Sequence, residues 1–244
     1  MATRFAGISR GKLAAREIRR PLGAFLHQAV REYRDKVVER VLRRPLSKPW
    51  MKYREIRIIE DLLSSLRPKR ALEWGCGFGT LHFARLLPPG SEWIAIEHDT
   101  DWAERIRSRN LSSHIRIYTI PPERSPWSEG DGTYSDFRGY VDFPDRFGEF
   151  DFILVDGRAR GPCLEKAYSL LSPRGVALVH DANREFLEAP WDLFPRQAIF
   201  RDYRRFSGGL WIGGKLRDPA NLLDLGKHRR IWKIYNSLGR GFRL

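Results

Sequence analysis

Ala71-Leu72-Glu73-Trp74-Gly75-Cys76-Gly77-Phe78-Gly79 organises the rest of the chain around it. Its first four residues read as a buried strand. The three glycines after them read as a tight turn in which no Cβ blocks a positive φ or the close approach of a ligand. A helix over residues 80–87 follows, then a Pro88-Pro89-Gly90 break and a second strand, Glu92-Trp93-Ile94-Ala95-Ile96, ending in Glu97-His98-Asp99. Strand, tight turn and helix N-terminus make a nucleotide-shaped site. An acidic residue about 20 positions beyond the glycines, at the end of the next strand, is placed to accept hydrogen bonds from both hydroxyls of a ribose. Glu97 holds that place.

Working outward, apolar runs alternate with helical periodicity. Residues 115–120 read as a third strand after a helix over residues 100–109 with Thr100 as its N-cap. Phe150-Asp151-Phe152-Ile153-Leu154-Val155 reads as a strand buried on both faces. A helix over residues 162–171 and a Pro173-Arg174-Gly175 turn lead to the strand Val176-Ala177-Leu178-Val179-His180. Residues 196–200 and 210–212 suggest a closing pair, one strand antiparallel. The pattern predicts an α/β, Rossmann-like, doubly wound, seven-stranded and mostly parallel sheet with an N-terminal helical extension. Its parts are a basic helical extension at 1–50, the sheet domain at 51–213 and a basic tail at 214–244. Residues 121–148, rich in Pro, Gly and aromatics, fit either a substrate-covering lid or a locally packed Ω-loop.

Charge is divided unevenly along the 244 residues. Lys plus Arg against Asp plus Glu gives 13 against 4 in residues 1–50, 19 against 23 in residues 51–195, and 12 against 3 in residues 196–244. A near-neutral core between two basic flanks suggests an anionic partner: nucleic acid, an acidic lipid surface or an acidic glycan; a merely solvated basic surface is the alternative. Within the first flank, Leu22, Leu26, Val30, Tyr33, Val37 and Val41 recur at spacings of three and four, lining one face of a helix over residues 21–44. That face is open to docking on the core, homodimer pairing or a membrane surface. The shortage of Trp and Phe on it favours the first two. A second helix over residues 53–66 turns Ile56, Ile59, Leu62, Leu63 and Leu66 inward. Two cysteines, Cys76 and Cys163, are too few for a disulfide framework or a zinc site, and no apolar run approaches a membrane span, so a cytoplasmic protein, peripheral at most to a membrane, is expected.

The glycine spacing departs from the dinucleotide fingerprint, which sets a pyrophosphate on the helix N-terminus. Here the pattern is Glu73-x-Gly75-x-Gly77-x-Gly79. A carboxylate ahead of the turn repels phosphate but pairs with the cationic amino-acid moiety of S-adenosylmethionine. At these residues the chain resembles the class I S-adenosylmethionine-dependent methyltransferases, whose first motif is E/D-x-G-x-G-x-G. The resemblance implies a methyl donor held by Glu73, Gly75, Cys76, Gly77, Gly79, Glu97, His98 and Asp156.

In open α/β sheets ligands sit beyond the carboxyl ends of the strands, so the polar residues after the fourth and fifth strands face the acceptor. A hydroxyl acceptor needs a proton acceptor or a metal that lowers its pKa. Asp156, His180 and Asp181 are candidate bases, with His180 and Asp181 pointing to opposite sides of their strand end. Arg158, with Arg160 and Arg184, is a candidate clamp for an anionic acceptor. Asp156, Asp181 and Asn183 are oxygen donors suited to Mg²⁺ or a similar divalent cation, as in metal-dependent class I O-methyltransferases, though Ala182 separates the final pair.

Val179-His180-Asp181-Ala182-Asn183-Arg184 is also similar to an HD-x-[DN]-R segment of the glucuronoxylan 4-O-methyltransferase family. That likeness implies O-methylation of a saccharide or glycoconjugate hydroxyl. The basic flanks leave a nucleic-acid methyltransferase open, although no base-amine motif of the Asn-Pro-Pro-Tyr kind is present, and fold alone leaves a non-catalytic binding protein open.

Overall fold

The computed structural model describes residues 8–43, 46–128, 130–184, 187–204 and 206–242, with side chains described outside 8–21 and 239–242. Positions 44 and 45, where the sequence places the end of the first helix and its break, lie outside the described residues. The chain divides into two compact units. One comprises the described residues up to Leu46, Lys52–Arg54 and those from Leu225 on; the other comprises Ser47–Met51 and Glu55–Asp224.

The larger unit is built on β1 (Arg70–Trp74), β2 (Glu92–Glu97), β3 (Ile115–Thr119), β4 (Phe150–Val155), β5 (Leu171–His180), β6 (Arg196–Phe200) and β7 (Leu210–Gly214). They form one seven-stranded sheet in the order β3-β2-β1-β4-β5-β7-β6. The α-helices of the described residues, in chain order, are α1 (Ile8–Arg40), α2 (Tyr53–Leu66), α3 (Phe78–Phe83), α4 (Thr100–Arg107), α5 (Arg138–Asp142), α6 (Arg160–Leu170) and α7 (Leu225–Phe242). β1 pairs in parallel with both β2 and β4, and β7 runs antiparallel to both of its neighbours, the predicted single reversal. The chain winds outward from β1 in one direction and then, from β4, in the other. The crevice between the carboxyl ends of β1 and β4 is therefore the topological switch point where ligands bind in such sheets.

Apolar strands buried on both faces hold this sheet together. Leu72, Ile94, Ile96, Ile153, Val155, Ala177 and Val179 are fully buried in one cluster. Three buried tryptophans each give their indole N–H an acceptor inside the protein: Trp74 donates to the Tyr140 carbonyl at 3.0 Å, Trp93 to Glu73 Oε2 at 2.8 Å and Trp211 to Gln197 Oε1 at 2.8 Å.

Three local expectations change, and one segment takes one of its two expected forms. The first helix, α1 (Ile8–Arg40), starts before residue 21 and runs through Pro21. The N-cap of α4 (Thr100–Arg107) is Asp99, not Thr100: Asp99 Oδ1 accepts the Trp102 N–H at 2.9 Å. The turn expected at residues 173–175 is absorbed into β5, where the register against β4 shifts between Phe150 and Phe152. A Cβ at Gly175 would stand 2.8 Å from the Asp151 carbonyl oxygen, so only glycine lets the strands close there. Finally, residues 121–148 pack on the core: Phe137 and Tyr140 are fully buried, Trp127, Phe143 and Phe147 lie against the same cluster, and α5 (Arg138–Asp142) adds a short helix. Asp136 pins the segment by accepting from the backbone N–H and hydroxyl of both Ser128 and Thr133. That geometry is the packed loop of the two readings.

In the smaller unit, α1 packs against α7 (Leu225–Phe242). Phe25 meets Ile231 and Tyr235, the Phe25 and Tyr235 rings standing edge to face at 4.8 Å. Arg54 lies over the rings of Trp232 and Tyr235.

Candidate active site

At the carboxyl ends of β1, β2, β4 and β5, within the larger unit, opens a cavity of about 590 Å³. Glu73, Gly75, Cys76, Gly77, Gly79, Glu97, His98, Asp156, Arg158, His180 and Asp181 all line it, so the structure gathers these eleven sequence-selected residues around one space.

The turn after β1 is fixed from both sides. Gly75 sits at φ +94°, where a Cβ would lie 2.7 Å from the Gly157 backbone; the turns after β1 and β4 thus touch backbone to backbone. Gly75 N–H donates to the Ile96 carbonyl at 2.7 Å and Asp156 N–H to the Trp74 carbonyl at 2.9 Å. Cys76 N–H donates to Glu97 Oε2 at 2.8 Å, and the Trp102 indole donates to the Cys76 carbonyl at 2.7 Å. Of the three motif glycines only Gly75 requires a left-handed backbone; a Cβ at Gly77 would meet nothing nearer than Gly79 N at 3.9 Å. The Cys76 and Cys163 thiols are buried and pushed far up in pKa by that burial, so neither is a nucleophile at neutral pH.

Two buried carboxylates flank this turn. Glu73, 2% exposed, takes the Thr80 hydroxyl at 2.7 Å and the Trp93 indole at 2.8 Å, both on Oε2. Burial outweighs those bonds and raises its pKa to about 8. Glu97 takes the backbone N–H groups of His98 and Asp99 on Oε1, at 2.8 and 3.0 Å, leaving Oε2 with the Cys76 N–H and one lone pair. This is a narrower offer than two free oxygens for two ribose hydroxyls. It still fits the nucleoside, as Glu73 fits a cationic amino group.

On the opposite wall, His180 is held between carboxylates. Its Nδ1 stands 2.8 Å from Asp156 Oδ1 and its Nε2 3.4 Å from Glu55 Oε2. Burial opposes the charged ring, but the two acids prevail and raise the His180 pKa well above its usual value. Both ring nitrogens already face carboxylates, so His180 presents no free nitrogen to an acceptor. Asp181 sits at φ 58° and is engaged as well, accepting from Gly208 N–H at 2.6 Å and Arg184 Nη2 at 2.5 Å. His180, Gly208, Arg184 and Arg160 overcome its burial and hold its carboxyl far below the usual range. Asp156 is the half-open carboxylate on the cavity wall, its side chain 25% exposed.

The divalent-cation set does not assemble. Asn183 turns its amide to the Arg204 carbonyl, and Asp181 is bound as above. Arg160 reaches Asp131, Asp156 and Asp181 at 2.7, 3.6 and 4.0 Å, filling with guanidinium the space between the donors that a cation would take. Among the described residues no group of three His, Cys, Asp or Glu is placed to hold a metal ion.

Sequence reasoning missed three participants. Asp131 gathers Arg160, Arg184 and Arg158 on Oδ1 at 2.7, 3.2 and 3.6 Å. Glu55 reaches His180 from α2 (Tyr53–Leu66). Trp50 stacks on Trp102 at 4.9 Å at the cavity edge, as Arg158 does on Trp127 at 5.1 Å. A carboxylate inside a Gly-Asp-Gly turn and an acid in a helix carry no local mark of such roles.

No family model matches the chain, so the likeness of residues 179–184 to the glucuronoxylan family has no support from that comparison. Over 48 residues the chain is 44% identical to catechol O-methyltransferase B of Danio rerio; the match covers 19% of this chain and 18% of that relative's length. Among solved structures, a methyltransferase from Geobacter sulfurreducens superposes with a TM-score of 0.52 at 14% identity, over 80% of this chain and 96% of that one. The O-methyltransferase from Bacillus cereus in complex with SAH superposes with 0.52 at 18% identity, over 80% and 91%. At these identities the likeness shows the fold: the Rossmann-like α/β fold of the class I methyltransferases.

Proposed function

We propose that the protein is an S-adenosylmethionine-dependent O-methyltransferase. The observation that carries this reading is the cavity in which two buried carboxylates, Glu73 and Glu97, flank a bare glycine turn while a third, Asp156, faces the same space. When bound, S-adenosylmethionine supplies a methyl group already activated by its sulfonium. Glu73 holds the cationic amino group, and Glu97 Oε2 accepts from a ribose hydroxyl.

Asp156 takes the proton of the acceptor hydroxyl on Oδ2, its other oxygen being fixed by His180. His180 and Arg160 hold Asp156 in its orientation, so they act as positioning residues. Asp181, Arg184 and Asp131 brace them.

Trp50, Trp102 and Trp127 make the cavity edge a stacking surface for a ring that carries the hydroxyl. An aromatic diol, the acceptor named for the Danio rerio relative, is the first class this surface suits; a saccharide, from the likeness at residues 179–184, is the second. Transfer of a radiolabelled methyl group to catechols, saccharides and RNA, compared between the wild type and Asp156→Asn, tests the reading. Label in a small hydroxylated acceptor, lost in the variant, supports it. Label in RNA alone, or none in any acceptor from a protein that binds the cofactor, contradicts it.

A further inference from the structure

The apolar stripe of α1 is the feature of the smaller unit that the fold leaves uncovered. Leu22, Leu26, Val30, Tyr33 and Val41 are 44%, 53%, 68%, 69% and 69% exposed, and Val37 is half-buried. At 3.6 residues per turn these six positions fall within about 100° of arc. Phe25, Gln28, Glu32 and Asp35 are buried on the opposite side of the helix. The sequence leaves this face open to docking, homodimer pairing or a membrane surface; within the smaller unit α1 packs through its opposite side.

The same rotation sorts the charges. Glu32 and Asp35 turn inward, Glu32 accepting from Tyr53 N–H at 3.2 Å and Asp35 from the Tyr53 hydroxyl at 2.7 Å. Arg31, Arg34, Arg40 and Arg43 remain on the exposed side, Arg31 over the Tyr53 ring and Arg34 at 3.1 Å from Asp35, with Glu39 the exposed acid among them. On the helical wheel Arg40 and Arg34 sit at the two borders of the stripe. An apolar stripe between cationic borders matches an anionic lipid surface, where side chains enter the acyl boundary and guanidiniums meet the headgroups. A second copy of the chain would instead set these arginines against their own kind.

We propose that α1 docks the protein on an anionic membrane surface through Leu22, Leu26, Val30, Tyr33 and Val41. Co-sedimentation of the full chain with phosphatidylcholine vesicles, with and without phosphatidylserine, tests this. Binding is expected to require phosphatidylserine, to weaken with salt, and to fall about fivefold per bordering cation removed, as in Arg40→Gln. The triple change Leu26→Ser, Val30→Ser, Tyr33→Ser is expected to lower vesicle binding by more than tenfold while leaving the melting temperature unchanged, because these side chains are exposed. Binding unaffected by the triple change, no binding to anionic vesicles at low salt, or a dimer in sedimentation equilibrium that the triple change dissociates would each overturn the proposal. None of these readouts depends on methyl transfer.

Discussion

His180 Nδ1 stands 2.8 Å from Asp156 Oδ1, so the strand-end carboxylate that faces the cavity is joined to a buried imidazole whose pKa that carboxylate and Glu55 raise against the opposing effect of burial. Raising the His180 pKa in the fold stabilises the protein fully below the ring's unfolded pKa of about 6.5. That contribution is lost as pH rises through the raised folded value. His180→Gln is expected to cost roughly 3–5 kcal/mol near neutrality, the scale of removing one partner from a buried ion pair. Urea denaturation at two pH values checks this: the difference between wild type and variant should shrink at high pH.

Glu73 carries the opposite problem, an acid buried without a cation. Its pKa of about 8 means that the folded protein holds it protonated at neutral pH. A cationic ligand group beside it favours the ionised form, so binding releases a proton. Affinity for S-adenosylmethionine should therefore rise about tenfold per pH unit up to about pH 8 and then level. Calorimetry in buffers of different ionisation enthalpy measures the released proton, and Glu73→Gln should abolish both the release and the slope.

Backbone contact between the turns after β1 and β4 makes Gly157 sensitive. A Cβ there would lie 2.0 Å from the Tyr140 hydroxyl and 2.9 Å from Gly75 N. Tyr140 is fully buried and has little room to yield. Gly157→Ala should cost about 1–3 kcal/mol, the usual price of overpacking, and weaken cofactor binding by moving the glycine turn. Thermal melts with and without S-adenosylhomocysteine separate the two effects.

Asp131 holds three guanidiniums together. Asp131→Ala leaves the nearly buried Arg160 with the His180 carbonyl at 3.2 Å and two more distant carboxylates at 3.6 and 4.0 Å, and roughly 3–5 kcal/mol of stability should be lost. Asp131→Asn, which keeps one acceptor oxygen, should recover part of it. Equilibrium unfolding of both variants decides.

The strands, the mostly parallel sheet and its one reversed strand were legible in the sequence because they rest on local signals. Apolar runs such as residues 150–155 and 176–180 leave a helix no polar face, and the glycine turn between Glu73 and Glu97 follows from spacing. The acceptor side was less legible because it depends on which side chains meet across long separations. His180 reads as a base until Asp156 and Glu55 are seen on its two nitrogens, and Asn183 reads as a metal ligand until its amide is seen on the Arg204 carbonyl. The stripe on α1 was identified correctly as a face, yet periodicity gives the side of a helix that is apolar, not the side that is covered.

Calorimetric titration of the folded wild-type chain with S-adenosylmethionine, beside Glu97→Gln, reads the cofactor site itself. The wild type should bind saturably at one site per chain and the variant about tenfold or more weakly, since a hydrogen bond to a charged acceptor is worth about 1.5–3 kcal/mol. No binding by the folded wild-type protein, or equal affinity in the variant, would contradict the assignment of this cavity to S-adenosylmethionine.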